Sequence, residues 1–188
     1  MNIELVFIIS YIIISTFGVL LHFTHPWYKK GIILHFISAI NESTWEHMKL
    51  AFYPMLISLI SHYVIFGFKN FNFWSSALLV LLCAIFSIPI LYYLVRSILK
   101  KEVLFISISI YFIAILLAVL LEYFLLNKEI FLFSECFGII GIIILFLCFV
   151  VFTYFPPRIF LFKDPIFKKF GEFKQNFDKK KRRRMKDS

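Results

Sequence analysis

The residues best equipped for chemistry crowd into one short stretch. His22, His25 and His35 are followed by Asn41-Glu42-Ser43-Thr44-Trp45-Glu46-His47-Met48-Lys49, so that four of the five histidines fall within 26 residues. Imidazole together with carboxylate suits zinc, manganese or another divalent cation, which makes His22, His25, His35 and His47 the candidate ligands. Ser43 followed at three residues by Glu46 is also a capping box, which starts a helix by satisfying its free backbone N–H groups. On such a helix Glu46 lies near Lys49 and Ser43 near His47. A third reading is a pocket for an anion or lipid headgroup, combining the helix start with the Lys49 charge. Helix entrance, cation site and anion pocket all remain open from the residues alone.

A thinner polar set consists of Glu4, His62, Glu122 and Glu135, each inside or beside an apolar run. Ionisable groups in such runs are costly in a bilayer and serve as candidate ion or proton positions; near helix ends, snorkelling relieves the cost. Cys83, Cys136 and Cys148 are odd in number and widely spaced, and read as inert apolar residues rather than a disulfide frame or a zinc site.

The elements that must position these groups are apolar to a degree foreign to soluble domains. The 188 residues are 61% hydrophobic and 16% charged, against roughly half and a quarter in a water-facing protein. Runs at about 3–23, 50–68, 73–95, 103–126 and 131–155 each reach the roughly 20 residues that span a hydrocarbon core. Residues 31–40 are too few to cross and predict a re-entrant or interfacial segment. The expected fold is an all-α integral membrane bundle of five transmembrane helices over residues 1–157, with a basic tail over 158–188. Gly138 and Gly141 suggest close packing in the last span.

Charge gives the orientation. Residues 158–188 carry 12 Lys and Arg against 4 Asp and Glu, and so hold +8 of the net +9. Lys29, Lys30 and Lys49 mark the first loop and Arg96, Lys100 and Lys101 the third, whereas the second and fourth have only Lys69 and Lys128. Basic loops stay cytoplasmic, which predicts a multi-pass cell-membrane protein with its N-terminus outside and C-terminus inside. Ile166, Phe170, Phe173 and Phe177 recur at helical spacing after Asp164-Pro165, predicting a surface-lying amphipathic helix. Lys179, Lys180, Lys181, Arg182, Arg183 and Arg184 then form a contact for anionic lipid headgroups. No base-reading motif accompanies the charge, so nucleic acid is not the expected partner.

Two stretches carry a resemblance. Asn41-Glu42-Ser43-Thr44-Trp45-Glu46-His47-Met48-Lys49-Leu50 resembles the NES-x-WEH-x-KL signature of an uncharacterised family of small bacterial multi-pass membrane proteins. Phe152-Thr153-Tyr154-Phe155-Pro156-Pro157-Arg158-Ile159, then Leu161-Phe162-Lys163-Asp164-Pro165, is similar to that family's F-T-x-x-P-P-x-I-P-L-F-x-D-P-x-T-G-x-Y-G ending. Phe160 replaces a proline of that ending, and Phe167-Lys168 replace its Thr-Gly. The resemblance implies a multi-pass membrane protein and names no substrate. Both signatures fall at the predicted cytoplasmic face, where Arg158 is expected to pair with a carboxylate of the first and, with Asp164, close one polar pocket. The expected function is non-enzymatic, either transport-related or ligand- or lipid-binding, with a homo-oligomer as a candidate assembly; the alternative is a metal-dependent enzyme acting on a lipid or membrane-embedded substrate.

Overall fold

The computed structural model describes residues 2–27, 36–66, 72–99, 104–127, 134–165 and 168–171, without the side chains of 23, 25–27, 104 and 127. It contains five long helices: α1 (Ile3–Trp27), α2 (Thr44–Ile65), α3 (Phe73–Leu99), α4 (Leu104–Asn127) and α5 (Glu135–Tyr154). All five are long and apolar enough to cross a membrane, and no strand occurs among the described residues. The five apolar runs therefore correspond one to one with helices. A 3₁₀ turn at Phe160–Phe162 follows α5.

The largest difference from the apolar runs lies in α2. Its run begins at Leu50, but the helix begins at Thr44, with Ser43 in extended conformation as its N-cap. Thr44, Glu46 and Lys49 are buried although polar, so this first turn and a half belongs to the interior. Mean hydropathy is accordingly lowest in α2, at 1.4, and highest in α5, at 3.0. Pro54 and Pro89 lie within α2 and α3.

The helices alternate in direction, which brings the starts of α1, α3 and α5 to the same end as the finishes of α2 and α4. α3 packs against α2, α4 and α5, while α1 lies on α2 and α4. The core is built where these meet, from Phe52, Met55, Leu59, Val80, Leu81, Ala84, Ala114, Ile115 and Ala118. Tyr111 ties three helices together, its hydroxyl donating to Ile14 O on α1 at 3.2 Å and Leu50 O on α2 at 3.5 Å. At Gly138 a Cβ would fall 2.5 Å from the Trp74 carbonyl, so α5 reaches the start of α3 only because that position has no side chain. Glu135 completes the junction, accepting from Trp74 N–H at 2.7 Å and Ser75 N–H at 3.3 Å.

Outward faces are apolar. Ile8, Ile12, Ile60, Val64, Ile90, Leu94, Ile143 and Leu147 are each exposed, a surface no water-soluble bundle presents. Residues 31–35 of the predicted short segment lie outside the described residues; Ser38, Ala39 and Ile40, at its end, are buried.

The ending departs from a simple helix. After Phe162 the chain folds back on itself, with Asp164 N–H donating to Lys169 O, Lys168 N–H to Asp164 O, and an isolated antiparallel bridge joining Lys163 and Phe170. Lys168 has φ of 57° and Gly171 of 67°, values that no right-handed helix accommodates. Residues 168–171, within the amphipathic helix expected from Asp164-Pro165, therefore belong to this turn and not to a helix, while Ile166 lies outside the described residues. The remainder, including Phe173, Phe177 and Lys179–Arg184, lies outside the described residues.

Candidate functional site

The first signature folds as a helix start in which Asn41, Ser43, Glu46 and Lys49 are all hydrogen-bonded or ion-paired. Ser43 Oγ accepts from Glu46 N–H at 3.4 Å, one half of a capping box. The other half is exchanged: Asn41 Oδ1 takes the Ser43 N–H at 2.8 Å, and Glu46 Oε2 reaches back to Ile40 N–H at 3.0 Å. That same carboxylate oxygen lies 2.7 Å from Lys49 Nζ, both side chains being at most 3% exposed. Lys49 also donates to Thr153 Oγ1 at 3.3 Å, and Thr153 in turn to Phe149 O at 2.7 Å. Lys49 is thereby turned into the bundle and held by Glu46; it is not presented to a ligand.

The second signature closes over the first. Glu42 N–H donates to Asp164 Oδ2 at 3.0 Å and Asn41 Nδ2 to Gly171 O at 3.1 Å. Asp164 is fully buried. Trp45 is sandwiched between Phe149 and Phe162, with ring centroids 4.6 and 4.5 Å away, and meets Phe152 edge-on at 5.6 Å. Of the expected pocket residues, Asn41, Glu42, Ser43, Glu46, His47, Lys49 and Asp164 are brought together. Arg158 is exposed and, among the described residues, makes no ion pair with Glu42 or Glu46. Its place as the link to the first signature is taken by Asp164 and Thr153, because Pro156-Pro157 ends α5 and carries Arg158 out to the surface.

Beside the helix start, two histidines and a carboxylate converge. His22 Nε2 is 3.8 Å from Glu42 Oε1, and His47 Nε2 is 3.9 Å from Glu42 Oε2. The two rings are 5.6 Å apart. His47 Nδ1 lies 2.9 Å from Ser43 O, which can only accept, so Nδ1 carries a proton and Nε2 is the atom turned to Glu42. No group of three His, Cys, Asp or Glu among the described residues has the arrangement of a metal site. His35 and the His25 side chain lie outside the described residues.

On the other side of the Thr44 turn lies an open cleft of about 200 Å³, lined by Thr44, Tyr92, Tyr93, Arg96, Phe160, Lys163, Asp164, Pro165 and Lys168. The lining brings three basic side chains and three hydroxyl-bearing ones together with one carboxylate, Asp164. Thr44 Oγ1 and Tyr93 Oη are 3.2 Å apart, and Arg96 Nη1 donates to Tyr92 Oη at 3.2 Å. Arg96 counted in the sequence as a loop charge and Lys163 and Lys168 as tail charges. Their convergence depends on the turn after α5, which composition does not reveal.

A family model described as a family of unknown function, DUF6512, matches residues 1–172. The chain belongs to this family. The DUF6512 match covers both signatures, all five helices and the closing turn, and stops within the basic tail, ahead of Lys179–Arg184. No curated protein and no solved structure matches the chain.

At the opposite end a second polar cluster is buried. Ser10 Oγ is 2.8 Å from His62 Nε2, and His62 Nδ1 is 2.7 Å from Glu122 Oε1. His62 and Glu122 belong to the thin polar set read from the sequence. Ser10 is missed there, as one hydroxyl within a long apolar run gives no signal. Glu4 is exposed, and Glu135 is engaged with the start of α3.

Proposed function

We propose that this DUF6512 chain is a multi-pass membrane protein that binds a phosphate-bearing anionic lipid headgroup at its cytoplasmic face, without catalysing a reaction. The observation that carries this reading is the cleft of Arg96, Lys163 and Lys168 with the hydroxyls of Thr44, Tyr92 and Tyr93. Arginine and lysine supply the charge for a phosphate, and hydroxyls and the nearby start of α2 supply directional donors. Membrane insertion is supported by five apolar helices with apolar outer faces. The cleft's end is taken as cytoplasmic because the stretches that follow α1 and α3 in the sequence carry Lys29, Lys30, Lys100 and Lys101, even with Lys49 removed from the loop count by its burial. Lys179–Arg184 would add a second, less selective hold on anionic lipid.

Native mass spectrometry of the detergent-purified protein tests this. Phosphatidylglycerol should be retained over phosphatidylcholine, and the preference should fall in a Lys163→Ala/Lys168→Ala double variant. A variant with Lys179–Arg184 replaced by serine should keep it. Equal retention of both lipids by the natural protein would remove the reading.

A second reading, a divalent cation such as zinc or manganese serving a membrane enzyme, is favoured by the approach of His22 and His47 to Glu42. Metal analysis of the purified protein should then show stoichiometric metal that is lost in His47→Ala.

A further inference from the structure

Ser10, His62 and Glu122 come from α1, α2 and α4 and form one continuous hydrogen-bonded line inside the bundle. Their exposures are 9%, 2% and 1%. Ser10 lies seven residues into α1, about 10 Å along the helix from its start. Phe7 covers the imidazole at 5.1 Å and Phe66 at 5.8 Å, while Tyr123 packs edge-on against Phe7 at 5.4 Å. The second carboxylate oxygen of Glu122 is buried and has no hydrogen-bond partner among the described residues.

The order serine–imidazole–carboxylate resembles that of a hydrolase nucleophile, but the surroundings oppose that use. All three residues lie within long helices whose backbone N–H groups are spent on the helix, so nothing offers an oxyanion its donors. Phe7 and Phe66 pack against the imidazole. A proton is the species that fits.

We infer that Ser10, His62 and Glu122 are a proton-binding site that exchanges one proton with the aqueous phase at the end where α1 begins. With two protons, the line is neutral overall: one proton lies between Oε1 and Nδ1, and the other sits on Nε2 and is donated to Ser10 Oγ. Loss of one proton to water leaves Nε2 as an acceptor. The Ser10 hydroxyl then reverses and donates to Nε2, and the line carries one negative charge on the carboxylate. Ser10 serves both states because a hydroxyl donates and accepts equally well. The neutral state suits the closed, low-dielectric bundle, since a lone buried charge is costly.

The titratable groups around the site are few. Tyr63 and Tyr123 adjoin it in sequence on α2 and α4, and α1 contributes exposed Glu4 and half-buried Tyr11. The first half of α3 holds no charged residue or histidine, only Cys83. Glu135 of α5 is held by Trp74 and Ser75.

Infrared difference spectra of the full chain in lipid, recorded between acidic and alkaline buffer, test the inference. The natural protein should show a protonated-carboxyl band that shifts in heavy water. That band should be lost in Glu122→Gln and kept in Glu135→Gln. An imidazole band should be lost in His62→Gln, and Ser10→Ala should move the titration midpoint without removing either band. Because the natural protein is itself the first sample, a poorly folding variant does not spoil the test. The inference is overturned if the natural protein shows no pH-dependent carboxyl or imidazole band, or if a fluorophosphonate probe labels Ser10.

Discussion

Replacing Lys49 with methionine isolates a buried ion pair at the start of α2. The ammonium lies 2.7 Å from Glu46 Oε2, and neither side chain has appreciable contact with solvent. Methionine keeps most of the volume and removes the charge. Glu46 would then be a buried carboxylate supported by the Ile40 N–H alone of the contacts described above. Removing one partner of a buried pair costs about 3–5 kcal/mol, whereas an exposed pair would cost about 0.2–1 kcal/mol. Adding Glu46→Gln removes the stranded charge, and the new amide oxygen still accepts from Ile40. The double variant should recover to within about 1–2 kcal/mol of the natural protein, far less than the sum of the two single substitutions, each of which strands one buried charge. Unfolding of all four proteins in detergent, followed by helical circular dichroism, gives this cycle directly. If Lys49→Met were within about 0.5 kcal/mol of the natural protein, or if the two substitutions simply added, the pair would be hydrated and the buried site misread.

Two further outcomes follow from backbone geometry. Lys168→Gly should raise stability by about 1 kcal/mol in the same unfolding assay, because it relieves a left-handed conformation at a position where the resembled ending has glycine. Gly138→Val should lower stability by about 1–3 kcal/mol or more, since its Cβ would meet the Trp74 backbone rather than a movable side chain; unchanged melting would mean α5 sits farther from α3.

The five helices were legible because length and hydropathy alone decide whether a segment can cross a membrane. The start of α2 was also legible, from Ser43 and Glu46, as was its internal Glu46–Lys49 spacing. Contacts between distant residues were not. Whether Arg158 or Asp164 meets Glu42 depends on where Pro156-Pro157 turns the chain and how the turn closes on Gly171. The Ser10–His62–Glu122 line depends on the rotation of three helices about their own axes, and α2 and α4 have too little amphipathic contrast to fix it. The ending misleads for a different reason: Phe170 keeps helical spacing with its neighbours, while Lys168 and Gly171 adopt backbone angles that spacing does not encode.

The two polar clusters also differ in when they can be completed. The line at the end where α1 begins is closed by residue 122, so its helices can dock while the last span is still being made. The opposite end waits for Thr153, Phe162, Asp164 and Gly171, which arrive last. Until then Lys49 lacks its contact with Thr153, and Trp45 lacks its aromatic cover. The Glu46–Lys49 pair gains its Thr153 partner only from the last helix made, so the order of synthesis bounds the order in which the two clusters can be completed.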